Sequence, residues 1–511
     1  MCKNDRRAYM ALALGAICLT LFSCQSNISK QSFADFDPKL ISYELPEDVD
    51  STASEQDLAT FAWREFFALN WASSWNKDQR RTTPDTLWDF ASSGAQPDLA
   101  VWETYIHRSE LRPASGQRTE DLSKGSPHYS FVDSTMIITD TVHLSNYWNV
   151  LDEDNEIGSS YLFSHQNESE VLYMAKTNLV EYNYLKNYFP TDPQLNAAAD
   201  QITSLSPTQR LSHFLSYSKA AMCASDSLSK KGLICLPCGD KAKKDPGVLE
   251  IKLAFRELNP LHDSIERFIT KKVVVFKPVG TSQNLQAAVH LFGLIGMHII
   301  HKTQNYPAFI FASWEQVDVR NNNMQTIGLD SVKVDGTKYG NVDPHRSNPV
   351  IERVIPEGVQ QVNQSVKKAI QSKNASSKWQ YYQLIGVQGI PFDYTNRNGN
   401  NNYFMANYAI ESDLKLTNFH GSFPDPFNAS INNVVFNKNA VNMGGCQGCH
   451  GQAQGSFGTD FSFLLDSGNN KPVIIPDPYQ TYQQALIAAG DTIGKSQVKA
   501  FQKLMRLKRK S

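Results

Sequence analysis

The strongest constraint on this chain lies near its C-terminal end, in Met443-Gly444-Gly445-Cys446-Gln447-Gly448-Cys449-His450-Gly451. Cys446-x-x-Cys449-His450 is the spacing of c-type haem attachment. Two thiols three positions apart can add to the two vinyl groups of one porphyrin, and the imidazole beside the second is then held against the iron. Neutral His is a strong iron ligand, and thioether links keep the porphyrin bound where the protein leaves an edge of it in water. A CxxC disulfide or half of a zinc site would use the same cysteines, but no second cysteine pair stands within zinc-ribbon distance. The expected group is one covalent haem c, with Cys446 and Cys449 as thioether links and His450 as axial ligand of the iron.

Such a group is attached outside the cytoplasm, and the other end of the chain carries the matching signal. Lys3, Arg6 and Arg7 precede a short apolar run from Met10 to Phe22, too short to span a bilayer as a helix. The run ends in Leu21-Phe22-Ser23-Cys24, which resembles the lipobox of bacterial lipoproteins, with Cys24 as the acylated first residue. Residues 1–23 are therefore expected to be a signal peptide and 24–53 a polar tether. Acyl chains at Cys24 would hold a soluble body at a membrane of the cell envelope, facing the periplasm. The 49 basic and 51 acidic residues leave a net charge of −2, so no electrostatic footprint of a nucleic-acid binder is present. No later stretch reaches spanning length; the most apolar, Ala287 to Ile300, suits a core element.

Three cysteines remain beyond the signal, the lipid site and the haem motif. Cys235-Leu-Pro-Cys238 precedes Gly239 where a haem motif needs His, so a structural disulfide between Cys235 and Cys238 is expected in an oxidising compartment. A redox-active dithiol is the sharper alternative, and Cys223 is left over.

Between these ends the pattern mixes helices and strands. Ser54-Glu55-Gln56-Asp57 has the form of a helix start, and Leu58 to Trp71 carries Phe61, Ala62, Glu65, Phe66 and Leu69 at helical intervals. Its aromatics suit core packing first, and a haem-pocket wall or electron path second. Ala100 to Tyr105 reads as a strand edge or a short helix, and Tyr182 to Phe189 and Ser204 to Lys219 as helical pieces. Strands are expected over 247–255, 268–276, 291–303, 308–319 and 378–388, with a loop at 396–402. With no repeat and no clear linker, the expected fold is α+β. A single large body of helices and antiparallel strands would span 54–440, a haem segment packed on it 441–470, and a basic helical tail 471–511.

The second axial ligand should come from upstream, since Met505 is the only downstream Met and lies in the basic tail. Gly296-Met297-His298-Ile299-Ile300-His301 offers two imidazoles in an apolar element. On a strand they point to opposite faces, so one at most reaches the haem. His298, flanked by apolar residues, is preferred as the possible distal ligand; a hydrogen-bonded core histidine is the plainer reading of either. Met405 and His420 are weaker candidates, and Met443 is too close to reach around the ring.

Several landmarks together resemble a family of exported bacterial single-haem cytochrome c proteins of about this length. They are Phe61-Ala62-Trp63-Arg64-Glu65-Phe66-Phe67-Ala68-Leu69-Asn70-Trp71, Val101-Trp102-Glu103-Thr104, the segment from Gly293 to Thr303, Ser313-Trp314-Glu315-Gln316-Val317-Asp318, Ala406-Asn407-Tyr408-Ala409-Ile410-Glu411-Ser412, the haem motif, and Asp460-Phe461-Ser462-Phe463-Leu464. The resemblance covers most of residues 58–466 and implies export and covalent haem, carried onto Cys446, Cys449 and His450. It implies no substrate and no catalytic residue. The leading expectation is a membrane-anchored c-type cytochrome that passes electrons to or from a redox partner protein. One alternative is a peroxidase-like or oxygenase-like enzyme with an open iron position and a polar distal group such as His298, Arg64 or Glu315. Another is a ligand-binding or sensing lipoprotein that contains haem.

Overall fold

The apolar run that includes Leu291 to His301 becomes the long central strand of an antiparallel sheet. The computed structural model describes residues 35–113, 115–124, 127, 171–261, 263–278, 285–320, 355–389, 407, 409–410, 433–436, 438–442 and 445–465. Cys24 and the signal, the loop at 396–402, Met405, His420, Met443, Met505 and the basic tail lie outside the described residues.

The fold is α+β. Seven strands form the main sheet: β1 (Ile106–His107), β2 (Val171–Thr177), β3 (Leu249–Glu257), β4 (Thr270–Pro278), β5 (Leu285–His301), β6 (Ile310–Gln316) and β7 (Tyr382–Gln388). Their order is β1-β2-β3-β5-β6-β7, with β4 paired to the first half of β5. The strands expected from sequence correspond to β3 through β7, with the 378–388 segment opening as a 3-10 turn over Lys378–Tyr381. The longer helices are α1 (Glu55–Asn70), α2 (Leu179–Tyr188), α3 (Asp192–Thr203), α4 (Pro207–Leu215), α5 (Glu357–Lys373) and α6 (Gly445–Gln452). A small hairpin, β8 (Asn433–Phe436) and β9 (Asn439–Asn442), precedes α6. Among the described residues no helix is long and apolar enough to cross a membrane.

Alternation along paired strands decides what each face of the sheet carries. Register pairs Lys252 with His298 and His298 with Ser313, and likewise Glu250 with Ile300 and Ile300 with Phe311. These six share one face. Leu253, Met297 and Trp314 share the other, as do Leu249, His301 and Ile310.

Helix α1 covers the second face. Ser54 and Asp57 close a capping box at its start, satisfying two end N–H groups that would otherwise lack partners. Its buried stripe sets Trp63 and Phe66 against Trp314 at ring separations of 6.1 and 5.5 Å. Trp63 Nε1 donates to Asn363 Oδ1 at 2.9 Å, tying α1 to α5. The first face is covered by α2, α3 and the segment after α6. There Ile106, Ala175, Ile300 and Phe311 from the sheet join Tyr182, Leu185, Leu195, Phe461 and Leu464 in one apolar cluster. The sheet is thus a partition with α1 on one side and α2, α3 and the C-terminal segment on the other.

The cysteine pairing differs from expectation. The disulfide joins Cys223 to Cys238, not Cys235 to Cys238, and Cys235 is a buried thiol. Residues 233–239 form neither helix nor tight turn, the conformations that bring positions three apart within bridging reach. Cys235 Sγ instead lies 3.3 Å from the Met222 carbonyl, and burial pushes its pKa up to about 12, which keeps it an unreactive thiol.

Candidate haem site

Helix α6 carries the whole Cys446-Cys449-His450 motif, and helical spacing brings positions 446, 449 and 450 to one side of it. Gln447, one of the two residues between the cysteines, is fully buried and fastens the helix to the body. Its backbone N–H donates to Gln388 Oε1 at 2.9 Å, and its side-chain amide donates to the Ala308 and Phe309 carbonyls at 3.1 and 2.9 Å. Cys446 packs against the apolar cluster on the first face of the sheet.

After α6 the chain runs through a turn of π-helix over Ala453–Phe457 and then reverses sharply. Gly458, Asp460 and Phe461 all have positive φ, at 69°, 52° and 68°. Two successive non-glycine residues in that region are costly, and such strain persists only where the surroundings over-determine it. Here Thr459 N–H donates to Ala453 O at 2.8 Å, and Thr459 Oγ1 donates to Ser462 O at 2.7 Å. Asp460 accepts from the Leu236 N–H at 2.6 Å and forms an ion pair with Lys302 at the end of β5.

The product of this turn is a carbonyl aimed at His450. Phe461 O lies 2.6 Å from His450 Nδ1. A carbonyl can only accept, so Nδ1 carries the hydrogen and Nε2 keeps the lone pair a metal needs. A second partner of this kind orients a ligating imidazole and raises its basicity. Desolvation pushes His450 down to about 4, with the Phe461 hydrogen bond opposing and the charges of His298 and Lys252 adding, so the ring is neutral across the physiological range. Phe311 and Phe463 flank it, each with ring centres 4.7 Å away.

His298 stands on the same face of the sheet, diagonally across from Phe311, which is the direct partner of Ile300, and within electrostatic reach of His450. His301 does not. It faces α1, where Nδ1 meets Glu65 Oε1 and Nε2 meets the Pro246 carbonyl, both at 2.5 Å, with Phe61 stacked on the ring. It is a satisfied core histidine. Arg64 rides on α1, so the sheet separates it from His450, whereas Glu315 is buried on the same face as His298.

A soft sulfur position and a neutral imidazole with a free lone pair, walled by aromatics, fit a c-type haem. A bare metal ion fits less well: among the described residues no group of three or more His, Cys, Asp or Glu side chains converges to hold one. The residues that sequence reasoning did not assign to the site are Gln447, Phe461, Asp460, Lys302 and Phe311. Their only advance signal was that several lie within the landmark segments. No family model matches the chain, and no curated protein or solved structure matches it either.

Proposed function

We propose that this protein is a lipid-anchored c-type cytochrome of the bacterial cell envelope that carries one covalent haem and transfers electrons. Cys446 and Cys449 would form the thioether links, His450 would be the proximal ligand, and His298 the distal one. Bound there, the haem would supply one-electron chemistry between ferric and ferrous iron.

The observation that carries the reading is the Phe461 carbonyl on His450 Nδ1, which fixes the tautomer a metal-bound imidazole requires. The left-handed turn at 460–461 has no other evident use for its strain. Around it, each residue has a task toward the haem. Gln447 holds the motif helix against the body, Phe311 and Phe463 exclude water from the imidazole, and the Lys302–Asp460 pair keeps the turn in position. Ligation by His298 as well as His450 would favour electron transfer over small-molecule chemistry, because the haem would then leave no open position for a substrate.

The test is the absorption spectrum of the chain matured with haem, oxidised and reduced, with and without carbon monoxide. A low-spin spectrum indifferent to carbon monoxide is expected. A high-spin form that binds it readily would favour the open-site enzyme. The variant C446A/C449A should lose covalent haem altogether, and covalent haem retained in it would overturn the assignment.

A further inference from the structure

Behind the His450 turn lie two carboxyl groups that no cation neutralises at contact distance among the described ion pairs. Glu181 on α2 is wholly buried and Glu250 on β3 is 3 % exposed. Register pairs Glu250 with Thr177 across β3 and β2, and Thr177 in turn holds Glu181, with Thr177 Oγ1 and Glu181 Oε2 2.5 Å apart. Burying charge this way is costly unless the group is neutral.

Counting hydrogens leaves a place for a proton on Glu181. Thr177 Oγ1 has one hydrogen and two acceptors in range, Glu181 Oε2 and the Leu249 carbonyl at 3.0 Å. A hydroxyl cannot donate to both. If Glu181 is protonated and donates to Thr177 Oγ1, the Thr177 hydrogen goes to Leu249 O and every contact is satisfied. Glu181 Oε1 has no hydrogen-bond partner, while the Glu250 carboxyl takes a hydrogen bond from the buried Ser462 hydroxyl. Ser462 directly follows Phe461, whose carbonyl meets His450 Nδ1. The pair therefore reaches, through Ser462, the segment that grips His450, and the unbonded Glu181 Oε1 leaves room for another proton.

We propose that Glu181 and Glu250 form a buried proton-binding site behind the His450 turn, holding one proton at rest and taking up a second when the iron held at His450 gains an electron. The inference rests on the haem reading above. The electron comes from a one-electron donor protein, the proton from solvent; one O–H bond forms on a carboxylate and no other bond breaks. Burial and mutual repulsion give the driving force. Desolvation raises both groups, Glu181 to about 7 and Glu250 well above the carboxylate range, and the charge of Glu181 raises Glu250 further. Interacting groups like these titrate as a pair. The charged neighbours are few. Asp460 faces the pair from the turn and repels, its own charge countered by Lys302, and Arg108 approaches Glu250 from the helical turn Arg108–Leu111. Lys252 and His298 follow on the same face of the sheet. One added electron at the iron raises the proton affinity of such a low-dielectric pair.

Two measurements on the haem-loaded full chain, reduced with dithionite, test this. Infrared difference spectra between oxidised and reduced protein should show the carbonyl stretch of a protonated carboxylic acid that grows on reduction, and E250Q should remove it. The reduction potential should fall as pH rises through the titration of the pair, approaching about 59 mV per tenfold change in proton concentration. E181Q and E250Q together should flatten that slope. Haem attached but with a potential independent of pH and no carboxylic band would overturn this proposal alone. Should the double variant fail to fold, the band and slope of the wild-type chain decide the question. No covalent haem in the wild type would overturn both this proposal and the reading beneath it.

Discussion

His301 and His298 stand three positions apart on β5, and the two faces they meet are furnished differently. On the α1 face both nitrogens of His301 are bonded, to Glu65 and to the Pro246 carbonyl, and the surrounding rings of Phe61, Trp63, Phe66 and Trp314 are closely packed. On the other face, buried polar groups accumulate: His298, Glu181, Glu250, and the Lys302–Asp460 pair, with Glu181 Oε1 left unbonded. Partnerless polar atoms occur on both sides, Glu65 Oε2 and Trp314 Nε1 on the α1 face and Glu181 Oε1 on the other, but it is the His298 face that gathers two carboxyl groups with no cation at contact distance among the described ion pairs. Buried polar atoms without partners cost stability and persist where they serve a site.

The largest effect should follow from breaking the closely packed α1 face. E65A leaves His301 buried with a bare Nδ1, and removing one partner of such a pair costs about 3–5 kcal/mol. W314A opens a cavity beneath α1 at a cost of similar size, about 3–5 kcal/mol. Urea denaturation would read both. The haem spectrum of whatever fraction folds should stay that of the wild type, because the sheet stands between these residues and His450. A changed spectrum in E65A would mean the two faces are not separate.

The disulfide comes next. Cys223 and Cys238 are 15 residues apart, and a loop of that length predicts a loss of about 3 kcal/mol in C223A. C235A should cost about 1–2 kcal/mol, through lost packing alone. If C235A proved the more damaging, the pairing of Cys235 with Cys238 read from the sequence would be restored.

That correction marks where local reading ends. The capping box at Ser54 and Asp57 and the strand patterns of β3 to β6 are written in neighbouring residues, and they were legible. Helix α3 was also signalled locally, by Thr191, Pro193 and Gln194 at its start, but lacks a strong apolar stripe. Helix α5 was missed although Val359, Val362, Val366, Ala369 and Ile370 fall on one side of it. The opposite faces of His298 and His301 followed from strand period once β5 was recognised. What could not be read was contact between distant segments: Glu65 with His301, Gln447 with the Ala308 and Phe309 carbonyls, Phe461 with His450, and Cys223 with Cys238. Those partners are set by tertiary packing, and no local propensity encodes them.

The polar face should then announce itself through pH. Glu181 is raised to about 7 by burial, so between its ordinary pH range near 4.5 and that value the folded chain binds more protons than the unfolded one. Stability is therefore greatest below that window and falls as pH rises through it, and Glu250 adds in the same direction. E181Q should flatten the decline by an amount on the order of 2–3 kcal/mol. Urea midpoints at the two ends of the window would measure it, and an unchanged slope in E181Q would locate the proton elsewhere.

The smallest effect on stability, and the most informative on function, is expected from H298L. Replacing an imidazole on a buried face by an apolar side chain of comparable length removes one polar group without leaving a cavity, so the cost should be about 1 kcal/mol or less. Its consequence for the haem should be disproportionate. If His298 is the distal ligand, its loss opens an axial position, and the spectrum should change from low spin to high spin and acquire a response to carbon monoxide. H301L would do the reverse: it breaks the Glu65 pair and costs several times more stability, yet leaves the iron's surroundings alone. Two substitutions of one residue type, three positions apart on one strand, would thus separate folding from ligation. A low-spin spectrum retained in H298L would assign the distal ligand to another residue and leave His298 as a polar neighbour of Lys252 and His450.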